Sequence, residues 1–271
     1  MTSALTLCAV LAGAGTTVLV SSSETEAAKV TVDFEVEDAL ADADPGGTVE
    51  NFLLVGSDSR ADSDPDSPDY GGIGSADQTT GQRSDTIMVL RHDRVTNEAA
   101  LLSLPRDLWV TISDTGKKNR INAAVSHGPD VLVQTISDNL GIPINHYVEV
   151  DFSGFKTLVD AIGGVPVCFD YPTRDHNTGL MVATPGCYEL SGIEGLQYTR
   201  SRHFEQFKDS EWTEDPTSDL GRIKRQQEFI VTALQRANGR IGENPFVING
   251  LLAAAQESLT IDPGLELLSL A

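Results

Sequence analysis

The chain has 271 residues, 40% of them hydrophobic, which is enough for one substantial core in a single domain. Its 40 acidic residues against 19 Lys and Arg give a formal net charge of -21. Binding of DNA or RNA depends on a broad basic surface, so no nucleic-acid partner is expected. Because basic residues are scarce, any cluster of them is informative.

The N-terminal segment is apolar. Residues Ala4 to Val20 carry no charge, and their number is at the short limit for a membrane span of roughly 20 residues. We expect residues 1–20 to be a membrane anchor with a truncated cytoplasmic side; a cleaved signal segment is the alternative. Residues 21–47 are predicted to be a linker, and residues 48–271 one folded domain. Its last residues resemble the start of a helix, so we expect the C-terminus to be truncated.

The folded domain is predicted to begin with buried strands that present charged residues at their ends. The strand Asn51–Gly56 is followed by Asp58, and the next strand begins near Arg83 and Asp85. If the two strands are antiparallel neighbours, both carboxylates lie close enough to hold one divalent cation, Mg²⁺ or Mn²⁺. The alternative is that both aspartates only cap turns.

Helices and strands alternate further along the chain. A third strand, Ala99–Leu104, is stopped by Pro105 and is followed by Arg106. The later patterns predict a helix over 131–140, a strand over 147–152, a helix over 155–162, a strand over 165–169 and a helix over 219–237. This order favours an α/β fold with a mixed β-sheet flanked by helices, in three α/β/α layers.

Two of the three cysteines lie in the predicted domain. Cys168 and Cys187 flank a loop that contains Pro, Gly and Asn. In an exported protein a disulfide would close this loop and stabilise the fold by about 3 kcal/mol. Two free buried thiols are the alternative.

Basic residues are concentrated between Tyr198 and Gln227. An extended segment would put Tyr198, Arg200 and Arg202 on one face, and a helix capped by Ser218 or Asp219 would project Arg222, Arg225 and Gln226 together. The planar guanidinium group fits phosphate with two hydrogen bonds, so this set suits a pyrophosphate group. For either half alone, an edge strand or a solvated helix face is the alternative.

Seven short blocks occur in a characteristic order. They are Leu54–Arg60, Arg83–Ile87, Leu104–Asp107, Ile121–Ala124, Asp160–Val165, Leu196–Arg202 and Asp219–Gln227. Together they resemble the LytR-CpsA-Psr family of cell-wall glycopolymer ligases. The resemblance implies a single-pass anchor in the cell membrane, an extracytoplasmic α/β domain and an apolar tunnel for a polyprenyl tail. It also implies Mg²⁺-assisted transfer of a glycan phosphate from a polyprenyl-diphosphate carrier to a hydroxyl of peptidoglycan or an attached polymer.

The resemblance also implies site residues. Asp58 and Asp85 match the metal-associated carboxylates. The matching diphosphate-binding set is Arg83, Arg106, Arg120, Arg200, Arg202, Arg222 and Gln226, and the predicted catalytic residues are Arg83, Arg106, Arg200, Arg202 and Asp219.

The chain departs from the family pattern in two places. Arg120 stands where the family often has lysine, and Lys117 and Lys118 lie just upstream, so which cation reaches the phosphates stays open. The segment 204–217 is longer than usual, and either an acidic lid or a simple surface fits it.

Three functions fit these patterns. The first is the ligase, the second a polyprenyl-diphosphate binding or regulatory module without turnover, and the third a pyrophosphatase that uses water as acceptor. The full set of arginines and aspartates favours an active enzyme over a binding module.

Overall fold

The computed structural model describes residues 36–42, 46–57, 84–96, 98–244 and 247–265. The predicted anchor, most of the predicted linker, the segment 58–83 and residues 266–271 lie outside these ranges. Among the helices that the model describes, none is both long and apolar enough to cross a membrane.

The described elements alternate along the chain much as predicted. The strands are β1 (Val49–Ser57), β2 (Ser84–Asp93), β3 (Glu98–Leu104), β4 (Trp109–Thr111), β5 (Lys118–Arg120), β6 (His146–Val150), β7 (Val165–Phe169), β8 (Thr173–Asp175), β9 (Leu180–Val182), β10 (Gly186–Leu190), β11 (Glu205–Lys208), β12 (Glu211–Glu214) and β13 (Leu259–Ile261). The helices are α1 (Asn122–Val125), α2 (Pro129–Leu140), α3 (Phe152–Ala161), α4 (Gly192–Arg200), α5 (Asp219–Glu243) and α6 (Val247–Ser258), and a short 3₁₀ helix (Glu37–Ala39) precedes them.

A five-stranded sheet in the order β13-β6-β1-β2-β3 forms the centre of the fold. β1 is parallel to β6 and antiparallel to β2, so the prediction of a mixed sheet is confirmed. The strand over 165–169 differs from expectation: β7 does not join this sheet but pairs with β10.

The two faces of the central sheet contact different helices. Leu53, Val55 and Ile87 are almost fully buried in a core that includes residues of α1 and α2. Replacing a core residue of this kind by alanine costs about 2–5 kcal/mol. On the opposite face, Thr86 and Ser103 form hydrogen bonds with glutamines of α5. Helices thus cover both faces, as the three-layer prediction requires.

The described end of the predicted linker packs against the same core. Val36 is fully buried, and the Ala41 N–H donates a 2.7 Å hydrogen bond to the Ile144 carbonyl oxygen. Residues 36–41 of the predicted linker therefore pack onto the folded core.

The prediction of an extended segment around Tyr198 is wrong, because α4 runs through it to Arg200. A capping box starts the helix: the Ser191 hydroxyl accepts from the Glu194 N–H, and the Glu194 carboxylate accepts from the Ser191 N–H. Tyr198 therefore points into an aromatic cluster, and burial raises its pKa to about 12. Arg200 ends the helix and does not share a strand face with Arg202.

The predicted disulfide is present. Cys168 of β7 and Cys187 of β10 are directly opposite in the antiparallel pair, and a disulfide joins them.

The long segment after Arg202 forms a hairpin. β11 and β12 pair around Asp209 and Ser210, whose φ angles of 51° and 71° suit a tight two-residue hairpin turn. β11 also pairs with β8, so the hairpin extends a four-stranded sheet in the order β12-β11-β8-β9. The acidic segment is thus part of a sheet on the surface.

Candidate active site

Three strand ends meet at one edge of the central sheet. Ser57, at the end of β1, lies opposite Ser84, at the start of β2, and Leu104, at the end of β3, lies opposite Ile87. The pairing jumps from Gly56↔Thr86 to Ser57↔Ser84, so residue 85 is the extra residue of a β-bulge. Such bulges often occur next to active sites.

Three of the predicted site residues lie wholly or partly outside the part of the chain that the structure describes. Asp58 and Arg83 lie outside the described residues, and the side chain of Asp85 is not described. Within the described part, no three His, Cys, Asp or Glu side chains cluster as a metal site.

Hydrogen bonds tie the start of β2 to α1 and to the loop after β3. The Ser84 N–H donates to the Asn122 side-chain oxygen at 3.1 Å, and the Asn122 N–H donates to the Arg106 carbonyl oxygen at 3.1 Å. The Ser84 hydroxyl lies 2.8 Å from the Gly56 carbonyl oxygen. These bonds fix the backbone of the loop that carries Arg106 relative to the end of β1.

The N-terminal turn of α5 brings two of the predicted arginines together. The Asp219 carboxylate lies 2.8 Å from Nη2 of Arg222 and 3.6 Å from Nε of Arg202. Arg222 is only 2% exposed. The acidic residue also suits the first turn of a helix, where the helix dipole favours negative charge. Ser218 occupies the N-cap position as predicted, but with φ of 44° and without a side-chain capping bond.

Gln226 joins this helix to two other parts of the site. It is 6% exposed, and its side-chain amide donates to the Thr86 hydroxyl and to the Thr199 carbonyl oxygen, both at 3.1 Å. The start of β2, the end of α4 and the start of α5 are therefore held together by one side chain.

Arg225 does not project with Arg222 and Gln226 toward a shared ligand. It donates to the Ser201 carbonyl oxygen at 2.6 Å and to Asp215 at 3.1 Å, and its guanidinium lies 4.3 Å from the centre of the Phe204 ring. The prediction that Arg225 projects together with Arg222 and Gln226 is wrong, because the Arg225 guanidinium bonds to Ser201 and Asp215 within the fold.

Asp215 is held as an anion by these contacts. Burial alone would raise the pKa of its carboxyl, but hydrogen bonds from Thr217 and Arg225 outweigh burial and lower that pKa below its usual value. The ion pair with Arg225 is therefore kept over the ordinary pH range.

A second acid-linked pair of arginines follows β3. Asp107 lies 3.7 Å from Nε of Arg106 and 3.2 Å from Nη1 of Arg120. Arg120 ends β5 opposite Trp109, whereas Lys118 begins that strand. Arg120 is therefore the basic residue of β5 that shares a carboxylate with Arg106.

Arg200 occupies a different position. Its guanidinium lies 4.4 Å from the centre of the Phe152 ring, at the first residue of α3. A cation at the last residue of α4 is also favoured by the helix dipole. Its approach to a ligand stays a prediction.

The sequence did not point to several residues that shape the site. Thr86 and Thr199 receive the bonds of Gln226, and Asp175 accepts bonds from both neighbours of Arg202. Their contacts depend on tertiary structure. The only sequence signal for Asp175 is the following His176-Asn-Thr-Gly179, which is typical of a turn.

Proteins of one known family resemble this chain in sequence and in fold. A model of the LytR_cpsA_psr family matches residues 11–270. The probable cell wall biosynthesis protein LcpB of Corynebacterium glutamicum is 35% identical over 224 residues, which are 82% of this chain and 50% of that protein. The polyisoprenyl-teichoic acid–peptidoglycan teichoic acid transferase TagU of Bacillus cereus is 34% identical over 155 residues, 57% of this chain and 47% of that protein. The chain thus spans about half the length of these curated relatives.

Solved structures agree with the sequence comparison. A LytR-Csp2A-Psr enzyme from Actinomyces oris superposes with a TM-score of 0.62 at 28% identity, covering 82% of this chain and 72% of that one. The family model covers nearly the whole chain, and the fold matches a solved member. The chain belongs to the LytR_cpsA_psr family.

Proposed function

We propose that this protein transfers a glycopolymer phosphate from a polyprenyl-diphosphate carrier to a hydroxyl of peptidoglycan or of an attached cell-wall polymer. The observation that carries the proposal is the carboxylate of Asp219, at the first residue of α5, between Arg202 and Arg222. In a chain of net charge -21, such a concentration of guanidinium groups calls for an anionic ligand.

The two pairs of arginines suit the two phosphates of the carrier. Arg202 and Arg222 share Asp219, and Arg106 and Arg120 share Asp107. A buried guanidinium such as that of Arg222 interacts more strongly with phosphate than an exposed one, because water screens it less. Each charge-assisted contact of this kind contributes about 1.5–3 kcal/mol.

An apolar surface lies beside these charges. Leu54, Leu90 and Val148 lie on the face of the central sheet that also carries Thr86, and they are only partly buried, whereas Phe52 and Met88 on that face are buried. A half-covered apolar face next to a phosphate site supports binding of the polyprenyl end of the carrier.

A divalent cation, Mg²⁺ or Mn²⁺, is part of the proposal. Its ligands would be Asp58 and Asp85, since Asp58 follows Ser57 in sequence, Asp85 follows Ser84, and Ser57 pairs with Ser84. Carboxylate oxygens are suitable ligands for either ion. When bound, the cation would neutralise charge on the phosphate oxygens.

The reaction follows from these positions. The hydroxyl oxygen of the acceptor forms a bond to the phosphorus that carries the glycan, and the bond from that phosphorus to the bridging oxygen breaks. Polyprenyl phosphate leaves with the bond's electrons, and the hydroxyl proton passes to a base or to solvent. The arginines hold the diphosphate and stabilise charge on the oxygens, so no covalent enzyme intermediate is needed.

The proposed location is the outer side of the cell membrane, with residues 1–20 as the single-pass anchor. The disulfide between Cys168 and Cys187 supports an oxidising compartment. The relative TagU is named as a transferase that links teichoic acid to peptidoglycan, which supports an acceptor of that class.

The test uses purified protein, a labelled polyprenyl-diphosphate glycan and Mg²⁺, with and without peptidoglycan. If the protein transfers the glycan phosphate, label appears on peptidoglycan only when protein and peptidoglycan are both present. Retention of unchanged carrier would favour a binding module, and acceptor-independent release of glycan phosphate would favour a pyrophosphatase. Lys224→Ala is a suitable control, because Lys224 is exposed on α5 and pairs with Glu228.

A further inference from the structure

Asp175 is a buried carboxylate outside the predicted site. It ends β8 and is 1% exposed. One of its oxygens, Oδ1, accepts from the N–H groups of Asn177 and Thr178, at 2.8 and 3.3 Å, and so closes the turn that follows. The other, Oδ2, accepts from the Ser201 hydroxyl at 2.6 Å and from the His203 N–H at 3.0 Å. The two oxygens therefore have separate tasks.

The residues held by Oδ2 are the two neighbours of Arg202. Arg225 holds the same segment as well, because it donates to the Ser201 carbonyl oxygen at 2.6 Å. The backbone on both sides of Arg202 is thus fixed by buried charged groups. The Arg202 side chain then extends to within 3.6 Å of Asp219.

We propose that Asp175 is a positioning residue, which fixes the backbone around Arg202 so that its guanidinium meets Asp219 and the carrier diphosphate. The inference rests on the proposed function for the nature of the ligand. It assigns no contact between Asp175 and the ligand, because Asp175 acts through Ser201 and His203. Ordering this loop in advance removes part of the entropy cost of binding.

Asp93 provides an internal comparison. It accepts from the N–H groups of Val95 and Thr96 at 2.9 and 3.2 Å, so it closes the turn after β2 in the same way. This turn lies at the end of β2 away from Ser84. Asp93 therefore shares the turn function of Asp175 without its contacts to the Arg202 segment.

The first variant is Asp175→Asn. If the asparagine oxygen stays in the turn, its NH₂ group replaces Oδ2 and faces the His203 N–H, so two donors oppose each other. Asp93→Asn is the control for the turn alone. The probe is geranyl diphosphate, a short polyprenyl diphosphate, and its dissociation constant is measured by calorimetry. We expect about tenfold weaker binding for Asp175→Asn and no change for Asp93→Asn.

A double-mutant cycle with Arg202→Ala separates positioning from general damage. If Asp175 acts through Arg202, Asp175→Asn causes no further loss of affinity once Arg202 is gone. If Asp175→Asn does not fold, Ser201→Ala replaces it in the cycle, because it removes one bond to Oδ2 and leaves the turn intact.

The outcomes of this experiment distinguish the inference from the proposed function. An equal loss of affinity with and without Arg202, or wild-type affinity of the folded Asp175→Asn and Ser201→Ala variants, would overturn the inference. A wild-type protein that fails to bind the diphosphate at all would contradict the proposed function.

Discussion

The side-chain amide of Gln226 donates a 3.1 Å hydrogen bond to the Thr86 hydroxyl, across 140 residues of sequence. Thr86 follows the bulge at the start of β2, and Gln226 lies one turn after Arg222 on α5. This bond joins the start of β2 to the helix that carries Arg222. The geometry of the site therefore depends on a neutral side chain as well as on charged ones.

Gln226→Ala should reduce both stability and transfer. The buried Thr199 carbonyl oxygen would lose its donor, which costs about 1–3 kcal/mol. The matched control is Gln227→Ala, because Gln227 donates to the half-buried Ser103 hydroxyl, where water can replace it. Urea unfolding and transfer rates measure both effects. Equal losses for the two variants would show that the bonds of Gln226 have no special role.

Arg222→Lys should lower transfer by about one to two orders of magnitude. Lysine keeps the charge but loses the planar fork, which contacts Asp219 and in the proposal binds phosphate as well. Arg94→Lys is the matched control, since Arg94 is exposed and pairs with Glu50 at the far end of β2. The measurements are transfer rate and carrier affinity. A fully active Arg222→Lys protein would mean that charge alone is sufficient here.

The fold was predictable where local patterns decide the structure. Continuous apolar runs at β1 and β2 are typical of central strands buried on both faces, and Pro105 ends β3 because it cannot continue the strand ladder. The meeting of strand ends at one edge followed from the antiparallel pairing of β1 and β2. These signals predicted correctly which strand ends lie together.

Other features depend on contacts that the sequence does not display. The residues from Tyr198 to Arg202 alternate like a strand, but the capping box at Ser191 begins a helix that runs as far as Arg200. Arg225 follows Arg222 by three residues on α5, so the sequence groups the two. Only the contacts of Arg225 with Ser201 and Asp215 show that it supports the fold. The pairing of β7 with β10 likewise depends on tertiary packing.

The disulfide should stabilise the protein by about 3 kcal/mol. The double variant Cys168→Ser with Cys187→Ser is expected to unfold at a lower urea concentration than the oxidised wild type. The intact mass of the protein should increase by two hydrogens on reduction, one on each of Cys168 and Cys187. Two alkylatable thiols at these positions in the native, non-reduced protein would contradict the bond.

Removal of the divalent cation should abolish transfer. Asp58→Ala and Asp85→Ala are each expected to reduce the rate by orders of magnitude while unfolding stays cooperative, because two strand-end carboxylates beside arginines suit a cation bound to diphosphate. Asp138→Ala, on the surface of α2 beside Gln134, serves as the control. Full activity of Asp85→Ala in the presence of a chelator would refute the metal site.

The most direct measurement follows the two phosphates of the carrier separately. The carrier is labelled with ³²P either at the phosphate that bears the glycan or at the phosphate next to the lipid, and is incubated with protein, Mg²⁺ and peptidoglycan. The account predicts that the first label moves to peptidoglycan and that the second leaves as polyprenyl phosphate, in equal amounts. Both labels remaining on intact carrier, or the first appearing as free glycan phosphate whether or not peptidoglycan is present, would contradict it.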